Sequence, residues 1–168
     1  EKWSPPQYQG LEAGQVSLLA SEDDGALVRL IAGELGEHRG PGSTHTPITY
    51  AHATVSRGAR LRLPWRKDFN ALIYILAGKG SAGPERQPIR EGQLAVMGQG
   101  DQVTILGEAE QESRSSALEV LLLGGSPIGE PVSWYGPFVM NTHEEILEAI
   151  EDYQAGRMGS IPAKRSMD

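Results

Sequence analysis

The sequence predicts a mainly β fold, a small barrel or sandwich closed by one C-terminal helix, and three observations carry that reading. First, the 168 residues include 21 Gly and 11 Pro. That is rich in turn formers, yet short of the roughly 25–30% at which Gly and Pro excess marks disorder. Each Gly inside a helix costs about 1 kcal/mol relative to Ala, so this composition favours many turns between short strands. Second, apolar runs separated by Gly, Pro, Asp or Ser recur every ~8–15 residues, the spacing of a sandwich or small barrel. Third, a single segment near the end joins a helix cap to apolar residues at helical spacing.

In chain order, residues 1–14 hold Pro5-Pro6 and no period, and read as an extended inter-domain linker. Strands are expected at Val16–Leu19, Leu27–Ala32, Thr46–Val55, Arg60–Leu63, Ala71–Ala77, Leu94–Met97, Gln102–Leu106 and Ala117–Leu123. Thr46–Val55 and Ala71–Ala77 are rich in the β-branched and aromatic residues that a pleated surface prefers. The helix is expected at about 142–155. Thr142 and Glu145 stand three apart as a capping box, and Glu144 and Glu145 complement the positive N-terminus. Ile146, Leu147, Ala149, Ile150 and Tyr153 form an apolar stripe, and Gly156 stops the helix with Arg157 just beyond. Residues 161–168 are expected to form a tail, leaving a domain over 15–160.

Charge and composition narrow the function. The net charge is −7, and a protein that binds nucleic acid by neutralising phosphates needs a basic face. The densest basic stretch, Arg57 to Lys67, is broken by Pro64 and Trp65 and reads as a solvated strand edge and loop rather than an anion site. The absence of Cys excludes disulfides, thiolate zinc sites and Cys nucleophiles. The longest apolar run, Ala71 to Ala77, falls far short of the ~20 residues of a membrane span. No signal peptide heads the chain, and its start at Glu1 rather than Met marks a processed or excised piece. A soluble, cytoplasmic protein is the expectation.

Local motifs assign no chemistry. Gly78-Lys79-Gly80-Ser81-Ala82-Gly83 matches GxGxxG, but Pro84, Pro88 and Gly92 follow, so no helix can open there to hold a pyrophosphate. A hairpin turn is expected instead. His45 and His52 share one expected strand, where a separation of seven places them on opposite faces unless a bulge intervenes. His38 falls in a Gly-rich loop and His143 in the first helical turn, and no HxH or HxxxH pair exists. Asp23-Asp24 and Glu108 to Glu112 read as solvated turns.

The C-terminal third is more specific. The stretch from Gly124 to Val132 (GGSPIGEPV), then Gly136 to Thr142 (GPFVMNT), Glu144-Glu145-Ile146 and Asp152-Tyr153-Gln154, closely resembles the pirin family. Ile31 to Glu34, Thr46-Pro47, Tyr74 to Gly78 and Gly100-Asp101 extend the resemblance over nearly the whole chain, and Trp3 with Pro6 to Gln9 resembles the family's inter-domain linker. Pirins are built from two tandem cupin barrels, the N-terminal one holding a metal, usually iron, on three His and one Glu. This chain lacks that motif and resembles the C-terminal domain. The implied fold is a cupin, a double-stranded β-helix or jelly-roll-like barrel with one C-terminal α-helix. Iron or another divalent metal is expected in the N-terminal domain, and no metal, cofactor or catalytic residue in this chain.

A metal-binding cupin places an HxH pair and a Glu before the strand that ends here at Gly78, and a further His after the Gly98–Gly100 turn. By the resemblance, the Glu slot falls at about Ala71 and the later His slot near Val103. The paired His slots fall near Pro64 and Arg66, or Trp65 and Lys67. None of these can serve as a neutral-imidazole or carboxylate ligand. The signature residues Glu130, Pro131, Gly136, Pro137, Phe138, Val139, Met140, Asn141 and Thr142 are expected to be structural or inter-domain rather than ligand contacts. The implied role is a metal-free, non-catalytic domain bracing an N-terminal cupin that in the family can act as a quercetin 2,3-dioxygenase. The alternatives are a module that docks a transcription factor or metabolic enzyme, and a small-molecule-binding cupin that uses its barrel interior without metal. The expected partners are that N-terminal domain, a second protein, or a second copy of the chain through an uncovered apolar face.

Overall fold

The computed structural model describes residues 8–111 and 115–160. The expectations for Trp3, Pro5-Pro6, Glu112 and the 161–168 tail lie outside the described residues. The described residues form two compact units, one spanning Leu11–Pro127 and one made of residues 128–160 together with 8–10.

The first unit is all β apart from a short 3-10 turn at Ala13–Gln15, inside the segment expected to be extended. Its strands are β1 (Ser17–Ala20), β2 (Ala26–Leu35), β3 (His38–Arg39), β4 (Ile48–Val55), β5 (Arg60–Pro64), β6 (Asn70–Ala77), β7 (Lys79–Ala82), β8 (Gln87–Arg90), β9 (Leu94–Val96), β10 (Gln102–Gly107) and β11 (Leu118–Gly125). A seven-stranded sheet runs β1-β2-β4-β11-β6-β9 with β3 appended to β2, and a four-stranded sheet runs β5-β10-β7-β8. Every strand pairing is antiparallel.

Burial alternates along each long strand, as the period-two pleat dictates. Thr49, Ala51, Ala53 and Val55 of β4 face inward, as do Ala71, Ile73, Ile75 and Ala77 of β6 and Leu118, Val120 and Leu122 of β11. All of these except Thr49 and Ala77 join Leu61, Leu63, Val103 and Ile105 of the smaller sheet in one apolar core. This arrangement follows the ordinary construction of a sandwich-like barrel, in which inner faces supply the core and outer faces stay partly polar.

All eight expected strands are present, with ends matching or shifted by up to three residues. Five others escaped sequence reading, β3, β7, β8 and the two strands of the second unit; they are two to four residues long and interrupted or flanked by Gly, Pro or charged residues that hide any period. The expected hairpin turn at Gly78–Gly83 is corrected. Gly78 (φ +85) bends the chain out of β6, Lys79–Ala82 is itself a strand, and the β7–β8 turn begins at Gly83. His45 and His52 do not share a strand, since Pro47 precedes the start of β4 at Ile48 and His45 lies outside it. His38 lies in β3 rather than in a loop. Gln111, within the expected solvated turn, is a tether. Its amide accepts from Lys79 N at 2.9 Å and donates to Lys79 O at 2.8 Å.

In the second unit, β12 (Ser133–Tyr135) and β13 (Phe138–Met140) form a hairpin that precedes α1 (His143–Gln154). The helix is capped at both ends. Glu145 N donates to Thr142 Oγ1 at 3.2 Å, and Glu145 Oε2 accepts from the backbone N–H groups of Asn141 at 2.8 Å and Thr142 at 3.1 Å. At the C-terminus Gly156 takes φ +72, and Gly156 N and Arg157 N donate to Tyr153 O and Asp152 O, the paired bonds of a Schellman cap. The apolar stripe is narrower than expected, for Ile146 and Ala149 are buried while Leu147 and Tyr153 are exposed. Replacing Thr142 with Ala is expected to cost about 1 kcal/mol. Faster amide exchange at Glu145 to Leu147, with the strand amides of the first unit unchanged, would register that loss. Equal exchange in the two proteins would show the cap to be idle.

Candidate functional site: the barrel cavity

Three of the positions that the resemblance assigns to metal ligands, Trp65, Ala71 and Val103, line one cavity in the structure. Trp65 follows β5, Ala71 lies near the start of β6, and Val103 lies in β10, about thirty residues further along the chain. With Ala82, Ile89 and Met97 they line a cavity of about 540 Å³ inside the first unit. Its floor is apolar and mostly buried. Its rim is polar, with exposed Glu85, Gln99, Asp101 and Gln102.

Of the two pairs that counting allowed for the His slots, it is Trp65 that points inward and is buried, with Pro64 exposed on the other face of the chain. Arg66 is engaged elsewhere. Its guanidinium grips Asp68 through two contacts, Nη2–Oδ2 at 2.7 Å and Nε–Oδ1 at 3.1 Å, and lies 4.3 Å over the Phe69 ring. The hydrogen bond from Arg66 holds the Asp68 carboxyl below its ordinary range. Lys67 reaches Asp101 on the rim at 3.4 Å. An indole, a methyl and an isopropyl group offer no lone-pair donor to a divalent cation. Among the described residues no group of three or more His, Cys, Asp or Glu is placed to hold a metal ion.

Two features of Trp65 stand out. Its Nε1 is buried with no hydrogen-bond partner among the described residues, and an unmade bond at a buried donor costs about 1–3 kcal/mol. The ring also occupies the space that a side chain at residue 124 would need, since a Cβ on Gly124 would overlap Trp65 Cζ2. Gly124 sits in β11 directly opposite Ala71, so this strand glycine is an instance of close approach rather than a turn.

The histidines lie away from the cavity. His38 and His45 are exposed, and His143 opens α1. His52 belongs to a polar network on the outward face of the large sheet that sequence reading missed. Its Nε2 stands 2.8 Å from Glu119 Oε2, its Nδ1 3.3 Å from Arg29 Nη1, and Thr54 Oγ1 donates to the same Glu119 oxygen at 3.0 Å. The outward positions of β2, β4 and β11 bring these four residues together. The one available signal was the polar alternation His52, Thr54 on β4.

The signature residues build the hairpin and helix of the second unit. Gly136 takes φ +56 in the two-residue loop of the β12–β13 hairpin, where a glycine at the first central position suits a type II′ turn, with Pro137 next. Asn141 Nδ2 donates to Glu130 Oε2 at 2.9 Å and to the Pro131 carbonyl at 2.8 Å, tying the incoming chain to the helix start. Phe138 meets Tyr153 edge to face at 6.1 Å between centroids. Met140 is half-buried and Val139 exposed, while Thr142 is the helix N-cap.

The family model for the pirin C-terminal cupin domain matches residues 50–159. The chain belongs to the pirin family. Human pirin is 36% identical over 166 residues, covering 98% of this chain and 55% of its own length. An Arabidopsis thaliana pirin-like protein is 37% identical over 168 residues, covering 98% of this chain and 53% of its own length. Among solved structures, a quercetin 2,3-dioxygenase from Acinetobacter baumannii superposes with a TM-score of 0.84 at 30% identity, over 96% of this chain and 54% of that one. The chain thus spans about half the length of the pirins it matches. The cupin fold expected from the resemblance is the one observed. No helix among the described residues is long and apolar enough to cross a membrane.

Proposed function

We propose that this pirin-family cupin is the metal-free, non-catalytic half of a two-barrel protein, and that it braces an N-terminal cupin holding iron or another divalent metal. The observation that carries the reading is the side-chain set at the ligand slots, Trp65, Ala71 and Val103, which line the cavity without one metal-binding atom. The similarity to the Acinetobacter quercetin 2,3-dioxygenase supports placing flavonol oxygenation in the intact protein. A metal there would supply Lewis-acid activation of the flavonol oxygens. Nothing in this chain is assigned a step in that chemistry.

The alternative, a module that docks a transcription factor or metabolic enzyme, is favoured by the exposed Trp134, Tyr135 and Val139 of the hairpin and Val132 just before it, since aromatic residues are enriched at interfaces. Metal analysis and turnover test the first reading. After incubation with Fe(II) and dialysis, the 168-residue chain should retain well under one iron per chain and leave quercetin unconsumed. Stoichiometric iron, or quercetin turnover by this chain alone, would refute it.

A further inference from the structure

We propose that the outer face of the four-stranded sheet binds a small phosphate monoester, held by Arg60, Arg62 and Arg86. The pleat of β5 turns Leu61 and Leu63 into the core and leaves Arg60 and Arg62 together on the outward face. On β10, Thr104 stands opposite Arg62 and Leu106 opposite Arg60, with Ser81 of β7 on the far side of Leu106. Arg86 arrives from the β7–β8 turn. Its N–H donates to Gly83 O at 3.2 Å, and its φ of +53 is one that residues other than glycine rarely adopt. The three arginines border one hollow of about 260 Å³.

Charge makes this hollow an anion site. The chain carries a net charge of −7, yet among the described residues no Asp or Glu lines the hollow, and none of its three guanidinium groups forms an ion pair or hydrogen bond. Elsewhere in the basic stretch the cations are engaged: Arg57 donates to Ser116 O at 3.1 Å, Arg66 grips Asp68, and Lys67 reaches Asp101. Glu22, Asp23 and Asp101 do share a second hollow with Arg60 and Arg62. There Asp23 is taken up by Ser21 Oγ at 2.6 Å and Gly25 N at 3.0 Å, and Asp101 by Lys67 at 3.4 Å. A guanidinium cannot shed its proton, and like charges gathered around a concave surface build a local positive potential that an anion relieves.

Donor geometry and lining select the kind of anion. Guanidinium forks match phosphate oxygens in pairs, and the hydroxyls of Ser81 and Thr104 add donors from two further strands. Ser81 has no side-chain partner among the described residues, and Thr104 Oγ1 makes only a long bond of 3.4 Å to Gln102 Oε1. A phosphate monoester brings about two negative charges and three strong acceptor oxygens, more than a carboxylate can offer these groups. Leu106 and Pro84 add an apolar wall that suits the organic part of an ester better than a bare ion. The site lies outside the barrel and is independent of the bracing role.

The test titrates the 168-residue chain, at neutral pH and physiological salt, with phenyl phosphate, with benzoate as a monoanion on the same ring, and with a phosphoserine peptide. Phenyl phosphate is expected to shift the backbone amide resonances of Ser81, Gly83 and Thr104 saturably, and benzoate to bind at least about tenfold more weakly. Arg62→Gln and Arg86→Gln, both at exposed positions, should each weaken phenyl phosphate about tenfold. Arg57→Gln removes the same charge outside the hollow and should leave binding within about twofold, since salt screens a distant exposed charge. The proposal is overturned if those amides do not move, if Arg57→Gln weakens binding as much as Arg62→Gln, or if benzoate matches phenyl phosphate. A peptide that binds more than about tenfold tighter than phenyl phosphate would reassign the hollow to a protein partner and equally overturn it.

Discussion

Replacing Gly33 with Ala should destabilise the first unit by about 4 kcal/mol, the largest single effect expected in this molecule. Two independent costs meet there. Gly33 has φ +77, a region where a non-glycine residue is strained by about 1–3 kcal/mol. A Cβ would also overlap the Ile48 carbonyl oxygen and lie 2.6 Å from its carbon, and that carbonyl belongs to the β4 backbone, which cannot step aside as a side-chain tip would. The glycine sits where β2 pairs with β4 opposite Thr49, just past a register shift between Leu30 and Ala32. Its own carbonyl accepts from Gly40 N at 2.8 Å. Gly58 provides the control, with φ +70 but open space around its absent Cβ, so Gly58→Ala should show the backbone cost alone, about 1 kcal/mol. Urea midpoints at constant slope would separate the two. Equal losses at the two positions would show that the clash with Ile48 is not real.

Gly124→Ala is the second large effect, about 2–3 kcal/mol from overpacking, and it reaches the cavity. The new methyl would overlap Trp65 Cζ2 with the Asn70 carbonyl oxygen 3.1 Å away on another side. Strand β11 is held by β4 on one edge and β6 on the other, so the indole has to give. Its displacement should alter the Trp65 fluorescence and the shape of the cavity. A double-mutant cycle isolates the contact: Trp65→Phe supplies a smaller ring, and combining it with Gly124→Ala should recover about 1–2 kcal/mol relative to additivity. Additive losses would mean that the methyl is accommodated without touching the indole.

These two glycines show where sequence reading stops. Gly33 and Gly124 both lie inside strands, whereas the high Gly count reads most simply as turns. The reason they are glycine lies on a neighbouring strand or beyond it, at Ile48 in one case and Trp65 in the other. The Trp65–Gly124 contact joins residues 59 positions apart, by their numbering, and depends on strand order and register. The same holds for His52, Glu119, Arg29 and Thr54, which no local pattern groups.

By itself the sequence determined the β class, eight of the strands and the helix with its cap, because each rests on a local period or on a hydrogen bond spanning three residues. Its resemblance to the pirins also implied where ligand slots would fall, at positions that carry no metal-ligating side chain. The tertiary structure alone decided that Trp65, Ala71 and Val103 line one cavity, that a buried indole N–H has no hydrogen-bond partner among the described residues, and which glycines serve packing rather than turns. Those outcomes follow from antiparallel pairings between strands distant along the chain. Such pairings set side-chain proximity through register, and a one-residue slip would turn every one of these side chains to the opposite face.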